Sequence, residues 1–338
     1  MAKAIFFILL YWLTLGTAQA AEKIWGDLTL SKQEGIQSGW TIRYLPGFKL
    51  FTEKDEGWNG QLLAQAHLEQ NHQQGLSDET YEAHRLYLRA YDDHWDVRLG
   101  LQEIRFGPAS ILRSLQWFDD WSLSDRTNFT TGVKALLLRY DGLDNQSLWL
   151  WAMPGDTGPE KELRLAADTQ SGGRLSLPWS FGEGGFTYHQ SRWIDQTLEQ
   201  RRGLDLFLDL GLGLWYEGSR NERQRDDLAL DGDQQQTLGL DYSFLISENK
   251  LYLLWEGQRL ETPNSLVERD SAMISLGLSL MDELRLIFLQ ERERFQSGLL
   301  EWSHTTDDWL ISLQAVQVID QINEEKGNQV ILTLQWSH

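Results

Sequence analysis

Apolar side chains recur at every second position along most of this chain. Leu86, Leu88 and Ala90 alternate with Arg85, Tyr87, Arg89 and Tyr91. After a turn at Asp92-Asp93-His94, Trp95, Val97, Leu99 and Leu101 alternate with Asp96, Arg98, Gly100 and Gln102. Successive side chains of a β-strand point to opposite faces, so this is a hairpin with one apolar and one charged face. The same pattern places Ala272, Ile274, Leu276, Leu278 and Leu280 opposite Ser271, Met273, Ser275, Gly277 and Ser279. A helix would scatter these leucines round its circumference. Between Leu204 and Leu214 every even position is leucine, opposite Asp205, Phe207, Asp209, Gly211, Gly213 and Trp215. Read as one strand over 203–217, that face is long enough to cross a bilayer at barrel tilt, where ~9–11 residues suffice.

An alternating chain buries its apolar face either in a protein core or in lipid, and the rest of the sequence bears on which. Residues 1–20 read as a secretory signal: Lys3 is the positive start, Ile5 to Leu15 is an apolar run of signal length, and Ala18-Gln19-Ala20 fits a small-x-small cleavage site. The mature chain is then a single domain over 21–338, with a retained N-terminal anchor as the alternative. Beyond residue 20 no stretch has the ~18 consecutive apolar residues of a membrane helix. The chain has no cysteine, which excludes disulfides, thiol catalysis and thiolate metal sites. Its net charge of -20 argues against nucleic acid, which selects basic surfaces. An exported, tryptophan-rich chain of this kind is a periplasmic β protein or an outer-membrane barrel, whose apolar residues are diluted one in two.

Eighteen alternating segments are countable, among them 161–169, 173–181 and 203–217. Short turns at Asp92–His94, Asp141–Asn145, Ser247–Asn249, Met281–Glu283 and Thr305–Asp308 follow even segments. Long connections at 71–81, 105–131, 218–234, 260–269 and 320–327 follow odd ones. Outer-membrane barrels have short periplasmic turns and longer external loops, and two periplasmic termini require an even strand count. One region breaks the parity. Gly182–Gly185 is tight where a loop is expected and 194–202 is long where a turn is expected, so sixteen strands is the alternative count. Trp95, Trp179, Trp255, Trp309 and Trp336 fit the aromatic belts of a lipid–water interface. Val330, Leu332, Leu334 and Trp336 form a closing strand of the kind that barrel-assembly machinery recognises. The expected fold is therefore an all-β, antiparallel transmembrane β-barrel of about 18 strands in the bacterial outer membrane, in contact with membrane lipid.

The run Arg98-Leu-Gly100-Leu-Gln102-Glu-Ile104-Arg-Phe106-Gly107 resembles a motif of porin-like barrels of the alginate-export type and related substrate-specific porins. In those barrels an Arg-x-Gly-x-Gln-x-Ile strand leads through an aromatic-Gly pair into a long loop containing aspartates. Leu101 stands where the family has an arginine. The resemblance implies passive transport of a small polar or anionic solute.

Arg85, Arg89, Arg98 and Gln102 on the hairpin, with Arg113, Asp119, Asp120 and Asp125 on the insertion, are the candidate pore-lining residues. Charges in a water-filled lumen select solutes by sign, and arginine's planar fork suits carboxylate and phosphate groups. Arg164, Asp205, Asp209, Asp241 and Glu256 fall on other polar faces. Within 105–131, Ile111, Leu115 and Phe118 recur at helix spacing, which predicts a short helix. A loop with its own apolar face is expected to fold inward and narrow the pore, with a lid on the external rim as the alternative. His189 and Ser191 share a strand face and are the sole hint of a hydrolase. The seven histidines lack ligand spacing, and Asp226-Asp227 with Asp231-Gly232-Asp233 reads as solvated acid, so no metal or other cofactor is expected. The reading is a channel. The alternatives are a structural or export-assembly barrel and an outer-membrane lipid hydrolase.

Overall fold

The computed structural model describes residues 19–35, 38–53, 57–120, 129–154, 167–193, 196–225, 228–292, 294–320 and 325–337. Its elements are β1 (Gln19–Gly35), β2 (Gly39–Glu53), β3 (Asn59–Gln73), β4 (Leu76–Tyr91), β5 (Trp95–Gln102), β6 (Val133–Asp141), β7 (Ser147–Pro154), β8 (Ala167–Trp179) and β9 (Gly182–Trp193). They continue as β10 (Leu198–Asp209), β11 (Gly213–Arg225), β12 (Leu228–Ile246), β13 (Asn249–Thr262), β14 (Ser265–Gly277), β15 (Asp282–Glu291), β16 (Phe295–Thr305), β17 (Trp309–Asp320) and β18 (Glu325–Ser337). Each strand pairs antiparallel with the next in sequence, and β1 pairs with β18, which closes an 18-stranded barrel. Closure leaves no strand edge unpaired.

The burial of side chains is the reverse of a soluble core. Leu204, Leu286 and Leu332 stand about half exposed on the outer wall, whereas Glu217, Glu256, Thr187 and Ser312 on the inner wall are fully buried. An apolar outside and a polar inside is what lipid around a closed barrel selects. Trp95, Trp179, Trp309 and Trp336 lie on the outer wall at or next to strand ends, and Trp255 lies there at mid-strand. Trp309 and Trp336 stack at 5.9 Å between ring centroids.

The count of eighteen is as expected, but two segment assignments are corrected. The stretch 173–181 belongs to one strand, β8, which begins at Ala167 and takes in the end of the expected segment 161–169; residues 161–166 lie outside the described residues. The leucine run 203–217 is two strands. Leu210, Gly211 and Leu212 form the turn between β10 and β11, with Leu208 opposite Leu214 and Asp209 opposite Gly213. Gly211 holds a φ of 84°, a left-handed conformation glycine adopts without steric cost. Both strands keep their leucines outward, so the face assignment stands although one strand became two. The merger and the split cancel, and together they restore the turn parity across 182–202.

The long connections at 71–81, 218–234, 260–269 and 320–327 are corrected as well. Their described residues are mostly strand, with 226–227 and 321–324 outside the described residues. β3 and β4 meet in a tight turn at Gln74-Gly75, where both residues have positive φ, the conformation of a two-residue hairpin turn. β13 and β14 pair out to Thr262 and Ser265. The odd-numbered end is therefore built of strands projecting past the apolar band. Among the described residues, the segment after β5 is the one long irregular connection.

Candidate functional site

Residues 103–120 leave β5 and turn into the barrel, and 129–132 lead back into β6. Ile104, Phe106, Leu115, Trp117 and Phe118 are buried in one apolar cluster with Val133, Ala135 and Leu137 of β6 and Trp151 and Met153 of β7. Phe118 packs edge-on against Trp151 and His189, and Phe106 stacks on Trp151. Inward folding is as expected. The helix is not: no helix occurs in 103–120, and backbone donors there are met by side chains of the far wall.

That far wall is β11 to β13, six to eight strands on from β5 in a ring of 18. The Glu256 carboxylate accepts backbone N–H bonds from Ser110 (2.7 Å), Ile111 (2.8 Å) and Leu112 (2.6 Å), and from the Trp215 indole (3.2 Å). Glu217 accepts from the backbone of Ala109 (2.8 Å) and Leu115 (3.1 Å). Between them on β12, Thr237 donates to the Leu112 carbonyl at 2.6 Å, which leaves its oxygen to accept from Ser114 at 2.8 Å. Trp117 donates to Ser219 on β11. Successive N–H groups converging on one point form an anion nest, and the protein fills this nest with its own carboxylate. Two glycines make room. A Cβ on Gly203 would lie 2.6 Å from Leu115 Cδ2, and one on Gly107 would lie 2.2 Å from Glu217 Oε1.

The candidate residues separate into three groups. Arg113 and Asp119 form an ion pair inside the segment at 2.5 Å, both side chains almost fully buried, and Arg113 also donates to the Phe106 carbonyl. Gln102 is fully buried, and its amide donates to the Ala135 carbonyl at 3.0 Å. Asp120 accepts the Thr131 N–H, which ties the outgoing limb to the returning one. Asp125 lies outside the described residues, as do Arg164, Asp226 and Asp227. The returning limb is gripped on β2 to β4. Arg85 donates to the Thr130 hydroxyl at 2.7 Å, and Phe129 lies against His67, His84 and the Arg43 guanidinium.

Arg89 and Arg98, opposite each other on β4 and β5, keep about a quarter of their side chains open to the lumen. Both grip Asp96 through two bonds each, and Arg89 also lies 4.2 Å over the Tyr91 ring. Two guanidiniums on one carboxylate leave one positive charge in excess.

On the even-turn side of the crossing segment lies a cavity of ≈ 610 Å³. Phe106 and Pro108 roof it, Arg105, Arg139 and Glu183 border it, and Trp149 and Phe207 supply apolar wall. The buried Arg174–Asp205 pair is part of its lining. Arg174 reaches across the strand between β8 and β10 because Gly185 has no side chain, and Phe106 covers its guanidinium at 5.4 Å. Sequence reading placed Asp205 and Glu256 on polar faces but missed Glu217, Thr237 and Arg174. The available signal was a glutamate or arginine at an inward position beside glycine or tryptophan. His189 has its two ring nitrogens at Trp151 and Gln170, so neither is directed at Ser191.

No family model and no curated protein sequence matches the chain. Solved structures do. OprD of Pseudomonas aeruginosa superposes with a TM-score of 0.64 at 10% identity, over 95% of this chain and 97% of that one. OpdL of the same organism gives 0.63 at 11%, over 94% and 98%. OccK3 (OpdO) gives 0.62 at 12%, over 97% and 99%. At such identities the likeness establishes a shared fold: a porin-like 18-stranded barrel.

Proposed function

We propose that this chain is an outer-membrane channel for passive diffusion of small polar solutes, narrowed by residues 103–132 and biased toward anions by Arg89 and Arg98. The carrying observation is a closed barrel, apolar outside and polar inside, crossed by one segment that is hydrogen-bonded to the opposite wall. The placement in the outer membrane draws on the same inversion and on the fold shared with a structure described as the outer membrane protein OprD. Residues 1–20 serve as the export signal, and β18, ending in Trp336, engages the assembly machinery. The resemblance of Arg98 to Gly107 to substrate-specific porins of the alginate-export type supports a selective channel. In this chain Phe106-Gly107 is where the backbone enters the lumen.

The test is single-channel recording in planar bilayers, after showing that the unboiled protein migrates differently from the boiled one, as folded barrels do. Discrete conductance steps are expected, with larger steps on deletion of 108–128. A heat-modifiable barrel with no conductance in either form supports the structural reading instead, and recovery without detergent overturns the membrane assignment.

A further inference from the structure

We propose that the even-turn rim of the barrel is unequally solvated: from β10 to β15 the turns themselves are immersed in acyl chains, whereas the turns before β5 and after β16 stand in water. This rests on the reading that the barrel crosses a bilayer.

Three consecutive even turns carry or directly adjoin at least two exposed large apolar side chains each. Leu210 and Leu212 lie in the β10–β11 turn and Leu278, Leu280 and Met281 in the β14–β15 turn, whereas Leu245 and Ile246 end β12 beside the turn Ser247-Glu248. Leu245 is 72% exposed and Leu280 106%, so neither is packed against its own barrel. The two preceding even turns, β6–β7 and β8–β9, carry one each, Leu143 and Phe181. The turn between β4 and β5 is Asp92-Asp93-His94 and the one between β16 and β17 is Thr306-Asp307-Asp308, with no apolar residue in either.

The outward tryptophans give a second, independent contrast. Trp95, Trp302, Trp309 and Trp336 stand within three residues of the even-turn ends of β5, β16, β17 and β18, where a belt marks the lipid–water interface. From β10 to β15 no outward tryptophan occupies that level. Tyr216 stands outward three residues up β11 and Tyr242 four residues from the end of β12, the other strand bases are aliphatic or phenylalanine, and Trp255 lies half-way up β13. The apolar band thus runs without a tryptophan belt from the wall over the turn tips. At the other end of the band, outward charge begins early, at Arg202 and Arg220, each seven residues from its turn. Seven residues at barrel tilt rise only about 18 Å, short of the ~25 Å apolar height of an outer-membrane barrel. Including the turn leucines lengthens the band toward that height. Continuity with the lipid-facing wall identifies the occupant as lipid. Such a rim inclines the barrel, lowering the β5 and β16 side toward water.

The chain lacks cysteine, so single cysteines can be placed without background. Leu245→Cys and Leu280→Cys, with Leu286→Cys as a mid-band reference and Asp93→Cys and Asp307→Cys as aqueous references, are labelled with an environment-sensitive fluorophore. The full barrel is reconstituted in phosphatidylcholine vesicles with or without acyl-chain bromination. Labels at 245 and 280 are expected to be blue-shifted and quenched by brominated lipid comparably to 286, with 93 and 307 unaffected. Labels at 245 and 280 that match 93 while 286 is quenched overturn the inference. A blue shift there without bromine quenching, the mark of a protein neighbour, overturns it too. An unquenched 286 overturns the membrane reading itself.

Discussion

At the scale of single residues, the pore segment depends on Glu256. Its carboxylate accepts four donors, three of them consecutive backbone N–H groups that no helix or strand satisfies. A buried donor left without an acceptor costs ~1–3 kcal/mol. Glu256→Ala is therefore expected to release 109–115 from the wall and raise conductance toward that of the deletion variant, while the barrel still migrates as folded. Gly203→Val tests the same docking from its apolar side. The added carbon meets Leu115 and Trp117, so the segment must shift although every hydrogen-bonding group is retained. Wild-type conductance and open-state noise in both variants would show that the segment is held from elsewhere. Glu256 was identifiable in the sequence as an inward charge. Its partners were not, because they are backbone groups 144–146 positions away. The helix spacing of Ile111, Leu115 and Phe118 was real but reflects packing on two walls instead of one.

At the scale of strands, period-two alternation located the apolar band and little beyond it. Outside the band both faces of a strand meet water or polar neighbours, so nothing enforces alternation. The overhangs Leu228–Gln234 and Leu198–Arg202 therefore read as loop. Conversely, turn residues that are themselves apolar, Leu210 and Leu212, hid a hairpin inside what looked like one strand. The faces survived both errors because the register Asp209 opposite Gly213 keeps odd positions inward on each side of the turn. β17 offers a direct check of face. Leu313 is 45% exposed outward, while the adjacent Ser312 hydroxyl is buried with no hydrogen-bond partner among the described residues. Leu313→Arg places a charge in the hydrocarbon at roughly 2–4 kcal/mol near the midplane. Ser312→Ala removes no bond and is expected to fold like wild type. Urea titration of refolding into vesicles measures both, and equal midpoints would mean that the two faces have been exchanged.

At the scale of the whole molecule, a net charge of -20 would suggest a cation path, yet the total does not describe the lumen. Much of the acid is committed. Asp205 is paired with Arg174, Asp119 with Arg113 and Glu291 with Arg269, while Glu217 and Glu256 face backbone donors instead of solute. Arg89 and Arg98 differ in that they share a single aspartate and stay partly open to the lumen. A passing carboxylate can exchange water for charge-assisted bonds from guanidinium N–H groups without displacing a second protein anion. The crossing segment strengthens this by removing water from the rest of the section, since charges act more strongly where solvent is excluded. Arg85 adds less, because its guanidinium is turned toward Thr130 and the His84 carbonyl. The double substitution Arg89→Ala with Arg98→Ala leaves Asp96 as an unpaired lumen carboxylate and reverses the local sign. Reversal potentials under a salt gradient are expected to move from anion toward cation preference, and the shift should shrink at high salt as screening shortens to a few ångströms. Arg85→Ala alone should leave selectivity nearly unchanged but loosen Thr130 and so increase open-channel noise. Were Arg85→Ala to shift selectivity as far as the double variant, the positive charge that solutes meet would lie on the gripping side of the segment and not on the β4–β5 hairpin.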